Sequence, residues 1–126
     1  MAKILIAEDE KDIRELIVFS LTFAGFEVVP AVDGQDAVEK AQEVMPDLIM
    51  MDVRMPRMTG YEACSKMKTI DKVKDIPVVI LSAKGQESEI QTGLNAGAYE
   101  YILKPFAPDE LIQRVKDIIS SLPQRG

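Results

Sequence analysis

The amino-acid sequence predicts an α/β protein: a parallel sheet with helices on both faces. Three observations carry this. Short apolar runs alternate along the whole chain with segments of helical period, which is the order of βα repeats. Three of the runs, Ile4–Ala7, Leu48–Met51 and Val78–Leu81, are apolar throughout, as strands covered on both faces must be. Each of these runs then stops at a polar residue, namely Glu8-Asp9, Asp52 and Ser82.

Strands are expected at Ile4 to Ala7, Glu27 to Val32, Leu48 to Met51, Val78 to Leu81 and Tyr101 to Leu103, the first, third and fourth forming the centre of the sheet. In the first helix Ile13, Leu16, Ile17, Leu21 and Ala24 recur at helical spacing, and Gly25 supplies the backbone freedom that stops it. Phe19 and Phe23 widen that apolar stripe. They are expected to flank the core, with a docking patch for a partner helix as the sharper alternative. A second helix is expected from about Asp36 to Val44, closed by Met45-Pro46 and preceded by a turn at Asp33-Gly34. A third is expected from about Gly60 to Lys68, carrying Cys64 as a small buried side chain without redox or metal function. Residues 69–77 have mixed charge and no period and read as a surface connection. The fourth helix is expected from about Glu87 to Ala96, and the last from Pro108 to about Leu122.

Composition narrows the function. The 126 residues are 47% hydrophobic and 29% charged, enough for one domain, residues 1–126, with a sizeable core. Fifteen basic residues against 21 acidic ones leave a net charge of −6, the wrong sign for a nucleic-acid binder. No run approaches the roughly 20 apolar residues of a membrane span and no signal-peptide pattern opens the chain, so a cytoplasmic protein is expected. One cysteine excludes an internal disulfide. The absence of histidine removes the usual general base and the commonest zinc ligand.

What remains is the line of strand ends. In an open α/β sheet ligands bind beyond the carboxyl ends of the strands, and here those ends carry an acid pair, an acid, a hydroxyl and, after the fifth strand, Lys104. Three converging carboxylates repel one another unless a cation or a proton holds them. Glu10 and Asp12 read as first-turn acids of the first helix rather than as ligands.

These residues lie in the segments ILIAEDE, DLIMMDVRMPRMTGYE, PVVILSA and GLNAGAYEYILKPF. Over essentially its whole length the chain resembles the receiver domain of two-component response regulators, the family of the chemotaxis response regulator. The resemblance implies a flavodoxin-like sheet of order 2-1-3-4-5, Asp52 as phosphoacceptor, and Glu8 and Asp9 as the acidic pair that binds Mg²⁺. It implies further that Glu8 acts mostly through water and that the Arg54 carbonyl supplies another oxygen. Ser82 matches the switch hydroxyl, Lys104 the family's lysine, and Lys104-Pro105 its cis bond. Ala83 is small and leaves space beside Ser82; Tyr101 matches an aromatic that swings inward, the alternative being a strand aromatic half covering the core.

The chemistry is consistent with that assignment. Mg²⁺ takes oxygen ligands, and direct ligation by Asp9 and Asp52 is expected. Three carboxylates against a divalent cation and Lys104 sum to a neutral site, so an incoming phosphoryl group would meet stabilising charge at its oxygens. Asp52, already ionised, would be the nucleophile. The implied partner is a sensor histidine kinase or a histidine phosphotransfer protein, because a chain without histidine cannot carry phosphohistidine itself. The expected output is a change in the fourth and fifth α/β units. An alternative is a relay intermediate with no output of its own, or the receiver part of a longer regulator.

Competing classes lack their residues. A Mg²⁺-dependent aspartyl-phosphate phosphatase needs a second aspartate two positions after the nucleophile, where this chain has Arg54; a flavodoxin needs a hydroxyl-rich loop where it has Glu8-Asp9-Glu10; and no glycine-rich loop ending in Lys and Ser or Thr is present. Arg54 and Lys84, two past the acceptor and two past the switch hydroxyl, would either fold over the phosphoryl oxygens and prolong their lifetime or point to solvent. The resemblance implies that the family's DNA-binding branch pairs through a charged face on its fourth and fifth units, with basic residues on the fourth helix; here that helix offers Gln86, Glu87, Glu89, Gln91 and Thr92 with no base, so a monomer, or at most a weak dimer by another face, is expected.

Overall fold

In the computed structural model, residues 2–83 and 85–122 are described. The strands are β1 (Lys3–Ala7), β2 (Glu27–Ala31), β3 (Leu48–Asp52), β4 (Val78–Ser82) and β5 (Glu100–Leu103), interleaved with α1 (Lys11–Phe23), α2 (Gly34–Val44), α3 (Gly60–Met67), α4 (Glu87–Asn95) and α5 (Pro108–Ser121). The strands form one parallel sheet of order β2-β1-β3-β4-β5. The expected flavodoxin-like fold is therefore the observed one.

β1, β3 and β4 occupy the middle, and every residue of β3 and β4 is buried. Period-two alternation sends Leu5, Ile49, Met51 and Ile80 to the core layer under α2 and α3. Ile4, Ile6, Leu48, Met50, Val79 and Leu81 go to the opposite layer, with Ile17 and Leu21 of α1 and Leu111, Val115 and Ile118 of α5. Register places Ala7 opposite Met51 and Asp52 opposite Leu81, which brings the strand ends level at one sheet edge.

Element ends differ from expectation by one or two residues. α1 stops at Phe23, and Gly25 follows with φ 101°, outside the helix it helps to close. α2 begins at Gly34 rather than Asp36, because the Asp33 side chain accepts a hydrogen bond from the Asp36 amide and caps it. Asp33-Gly34 is thus the helix start itself. α3 opens on a capping box, Thr59 with Glu62. The connection 69–77 is less superficial than its charge suggests: Val73 and Ile76 are buried in the α2–α3 core layer. Cys64 is buried, and burial pushes its thiol pKa up, which suits an inert packing role.

The expectation that Phe19 and Phe23 flank the core is overturned. They are 70% and 83% exposed and stack on each other, ring centroids 6.5 Å apart. The buried face of α1 is set by Ile17, Ser20 and Leu21, and Ser20 is accommodated there because its hydroxyl donates to the Leu16 carbonyl at 2.8 Å. The stripe turned inward through a serine, leaving the two rings outside. Among the described residues no helix is long and apolar enough to cross a membrane.

Candidate functional site

Four chain segments deliver the polar groups to one edge. Glu8 and Asp9 follow β1, Asp52 ends β3, Ser82 ends β4, and Lys104 follows β5, its amide donating to the Ser82 carbonyl at 2.8 Å. Carboxylate oxygens of Glu8, Asp9 and Asp52 all lie within 4.8 Å of one another. The Lys104 ammonium sits 2.8 Å from both Glu8 Oε1 and Asp52 Oδ1. The Lys104-Pro105 bond is cis.

Burial grades the three acids. Glu8 is fully buried, Asp52 is 8% exposed, and Asp9 is exposed at the rim. Burial pushes the Glu8 carboxyl above its ordinary pKa; the Lys104 hydrogen bond pulls it back, and Asp52 adds to the rise. Burial alone would lower Lys104, but its hydrogen bonds to Asp52 and Glu8 outweigh that and hold it protonated. One ammonium therefore faces three carboxylates.

Above them opens a recess of about 540 Å³ lined by Asp9, Asp52, Ser82 and Lys104, with Arg54, Ala83 and Glu89 around its rim. The donor set is all oxygen and carries excess negative charge, which fits a hard divalent cation such as Mg²⁺. Asp9 and Asp52 reach the recess; Glu8 lies beneath them on Lys104. Cys64, buried in the α2–α3 core layer, brings no sulfur to it.

Tyr101 on β5 is half-buried against the α3–α4 side, its hydroxyl 3.2 Å from that of Tyr61, which itself lies 3.2 Å from the carbonyl oxygen and Oε2 of Glu89. The Arg54 side chain is exposed, and Lys84 lies outside the described residues.

Three contributors escaped sequence reasoning. Arg14 of α1 donates to the Glu8 carbonyl at 2.7 Å and the Asp9 carbonyl at 3.3 Å, clamping the acidic loop from behind. Tyr61 and Glu89 join the recess to Tyr101. No local pattern distinguishes an arginine on an amphipathic helix as a clamp, so no signal was available for Arg14. A second recess, of about 680 Å³, lies away from the acids, along α1 beside Phe19 and Phe23.

Residues 4–116 match the response regulator receiver domain family. The chain belongs to that family. Among curated relatives of this receiver domain, the phosphate regulon transcriptional regulatory protein PhoB of Escherichia coli is 42% identical over 117 residues, which are 93% of this chain and 51% of that protein. A probable transcriptional regulator, ycf27 of Cyanophora paradoxa, is 39% identical over 93% of this chain and 48% of its own. The chain spans about half the length of these relatives. Among solved structures, the chemotaxis protein CheY4 of Vibrio cholerae superposes with a TM-score of 0.89 at 35% identity, covering 94% of this chain and 98% of that one. Receiver domains are signalling domains of two-component systems.

Proposed function

We propose that this receiver domain is a phosphorylation-dependent switch that accepts a phosphoryl group on Asp52. The observation that carries the reading is the carboxylate cluster whose two buried members, Glu8 and Asp52, are bridged by Lys104 at 2.8 Å each. Asp52 ends β3 with its carboxylate facing the recess, ready to attack phosphorus without an external base. The new P–O bond forms as the P–N bond of a phosphohistidine breaks, and the imidazole leaves with the electron pair and takes a proton. With no histidine in this chain, the donor is a separate group, on a sensor histidine kinase or a histidine phosphotransfer protein.

Asp9 and Asp52 would hold Mg²⁺ directly, with the Glu8 carboxylate and the Arg54 carbonyl beside them, and the cation would supply charge neutralisation to the transferring group. Lys104 is released from part of its pairing with Asp52 as the phosphoryl oxygens arrive and can pair with them instead. The phosphorylated side chain carries about −1.5 to −2, against −1 for the free carboxylate, and adds acceptor oxygens. Ser82, with small Ala83 next to it, would donate a hydrogen bond to it, and Tyr101 and the cis Lys104-Pro105 corner lie on the β4–β5 side that this movement reaches. The output face is then α4, β5 and α5. In this reading the protein works in the cytoplasm, contacts no nucleic acid through this domain and stays monomeric.

The test uses Mg²⁺ with acetyl phosphate. The wild type should gain one acid-stable, base-labile phosphoryl group, and Asp52→Asn none. Full labelling of the Asn variant would assign the acceptor elsewhere. Arg54, exposed at the rim, is proposed to slow hydrolysis by pairing with the phosphoryl oxygens; Arg54→Asn should then shorten the lifetime severalfold. An unchanged decay would return Arg54 to the role of a solvated side chain.

A further inference from the structure

Residues 53–59, between β3 and α3, carry the Arg54 carbonyl, yet their firmest side-chain tether runs away from the acidic cluster. Arg57, with φ 66°, sends its guanidinium to Asp33, Nε to Oδ2 at 2.8 Å and Nη2 to Oδ1 at 3.0 Å. Asp33 is only 6% exposed and at the same time caps α2 through the Asp36 amide at 2.8 Å. Next to it the backbones touch: a Cβ on Gly34 would overlap the Met58 carbonyl oxygen. A left-handed backbone is unfavourable for arginine, and here it goes with a forked contact that fixes both distance and angle.

We propose that Arg57 is a positioning residue for the cation site. Its forked pair with Asp33 pins the 53–59 loop to the start of α2 and thereby fixes where the Arg54 carbonyl stands beside Asp52 and Asp9. The proposal rests on the reading of the cluster as a Mg²⁺ site. It makes cation affinity depend on a contact outside the cluster, between two residues with no part in phosphoryl transfer.

Net charge offers a clean discrimination. Removing the Arg57 cation should, by charge alone, tighten Mg²⁺ binding, whereas removing the Asp33 anion should weaken it. Positioning predicts that both weaken it. Titration calorimetry with Mg²⁺ alone on the full chain is the measurement. Arg57→Ala and Asp33→Asn, the latter keeping a capping oxygen, should each weaken binding about 3- to 10-fold, at or below the range for groups that orient metal ligands. The double variant should be no worse than either single one, and Arg57→Lys should recover only part of the loss. Arg114→Ala, which removes the exposed pair with Glu100 on α5 and β5, should bind as the wild type does. Wild-type affinity in Arg57→Ala and Asp33→Asn, with affinity lost in Asp9→Ala, would make the pair merely structural and overturn the proposal. Wild-type affinity in Asp9→Ala as well would instead remove the Mg²⁺ reading on which it rests. Should Arg57→Ala fail to fold, Asp33→Asn and Arg57→Lys decide the matter alone.

Discussion

α3 and α4 are neighbours, joined by the hydrogen bonds of Tyr61 to Glu89, and are of similar length, eight and nine residues. Four residues of α3 are buried, Gly60, Ala63, Cys64 and Met67, and a capping box closes its start. Of α4 only Gly93 is buried, and its N-terminal residue Gln86 makes no side-chain cap. The acceptor therefore stands on a strand backed by an anchored helix, while the neighbouring helix rests on little apolar area. Local free energies of opening follow such differences. A switch needs both: an immobile acceptor, and beside it an element whose displacement costs little. Tyr61 ties the two together, reaching from α3 to Glu89 and to the Tyr101 hydroxyl.

Placing one methyl group on each helix tests this contrast most strongly. A Cβ on Gly60 would overlap the Asp52 carbonyl oxygen, backbone that cannot yield, so Gly60→Ala should cost about 3 kcal/mol or more in urea unfolding and impair phosphorylation. On α4 the Gly93 Cβ would meet Tyr101 Cδ2 at 3.0 Å and Tyr61 Cε1 at 3.3 Å, side chains that can shift by tenths of an ångström. The gain in helix propensity, about 1 kcal/mol, offsets the crowding, so Gly93→Ala should stay within about 1 kcal/mol of wild type. Equal losses in the two variants would erase the distinction between an anchored and a movable helix.

A smaller effect reads the anchored side through pH. The Arg57 guanidinium beside Asp33 holds that carboxyl below its ordinary range. The folded pKa is depressed, so the stability it contributes is present above the unfolded value, about 3.9, and is lost as pH falls through the lower folded one. The difference in urea midpoint between wild type and Arg57→Ala should be constant from neutral pH down to about 4 and vanish below it. A difference that persists in stronger acid would mean that the arginine acts by packing rather than by charge.

The reach of the sequence follows the same division. Glu8, Asp9, Asp52, Ser82 and Lys104 were legible because each adjoins a local apolar run, and parallel strands buried on both faces leave their ends at one edge. The pairing of Arg57 with Asp33, 24 residues apart, and the clamp of Arg14 on the Glu8 carbonyl have no period and no local signature; they exist only after the sheet has formed. The helix starts were misjudged where a side chain, Asp33, did the capping. The stripe of α1 was read too wide, since periodicity counts apolar residues but not the width of sheet available to cover them.

That last point supplies the smallest effect. Phe19 and Phe23 stack on each other with most of their surface exposed, so replacing both by serine should change unfolding free energy by no more than about 0.5 kcal/mol, as for exposed positions elsewhere. Leu21, fully buried one turn away, should by contrast lose about 2–5 kcal/mol on truncation to alanine. The exposed pair is also the apolar feature most able to draw two copies together, and α4 presents no basic residue to do so electrostatically. Sedimentation should show a monomer for the wild type with Mg²⁺ and beryllofluoride, and the same species for the double serine variant. A wild-type dimer that the serines dissolve would place the association on α1; a dimer that persists in the variant would place it elsewhere, and a tight one through α4 would contradict the expectation drawn from its sequence.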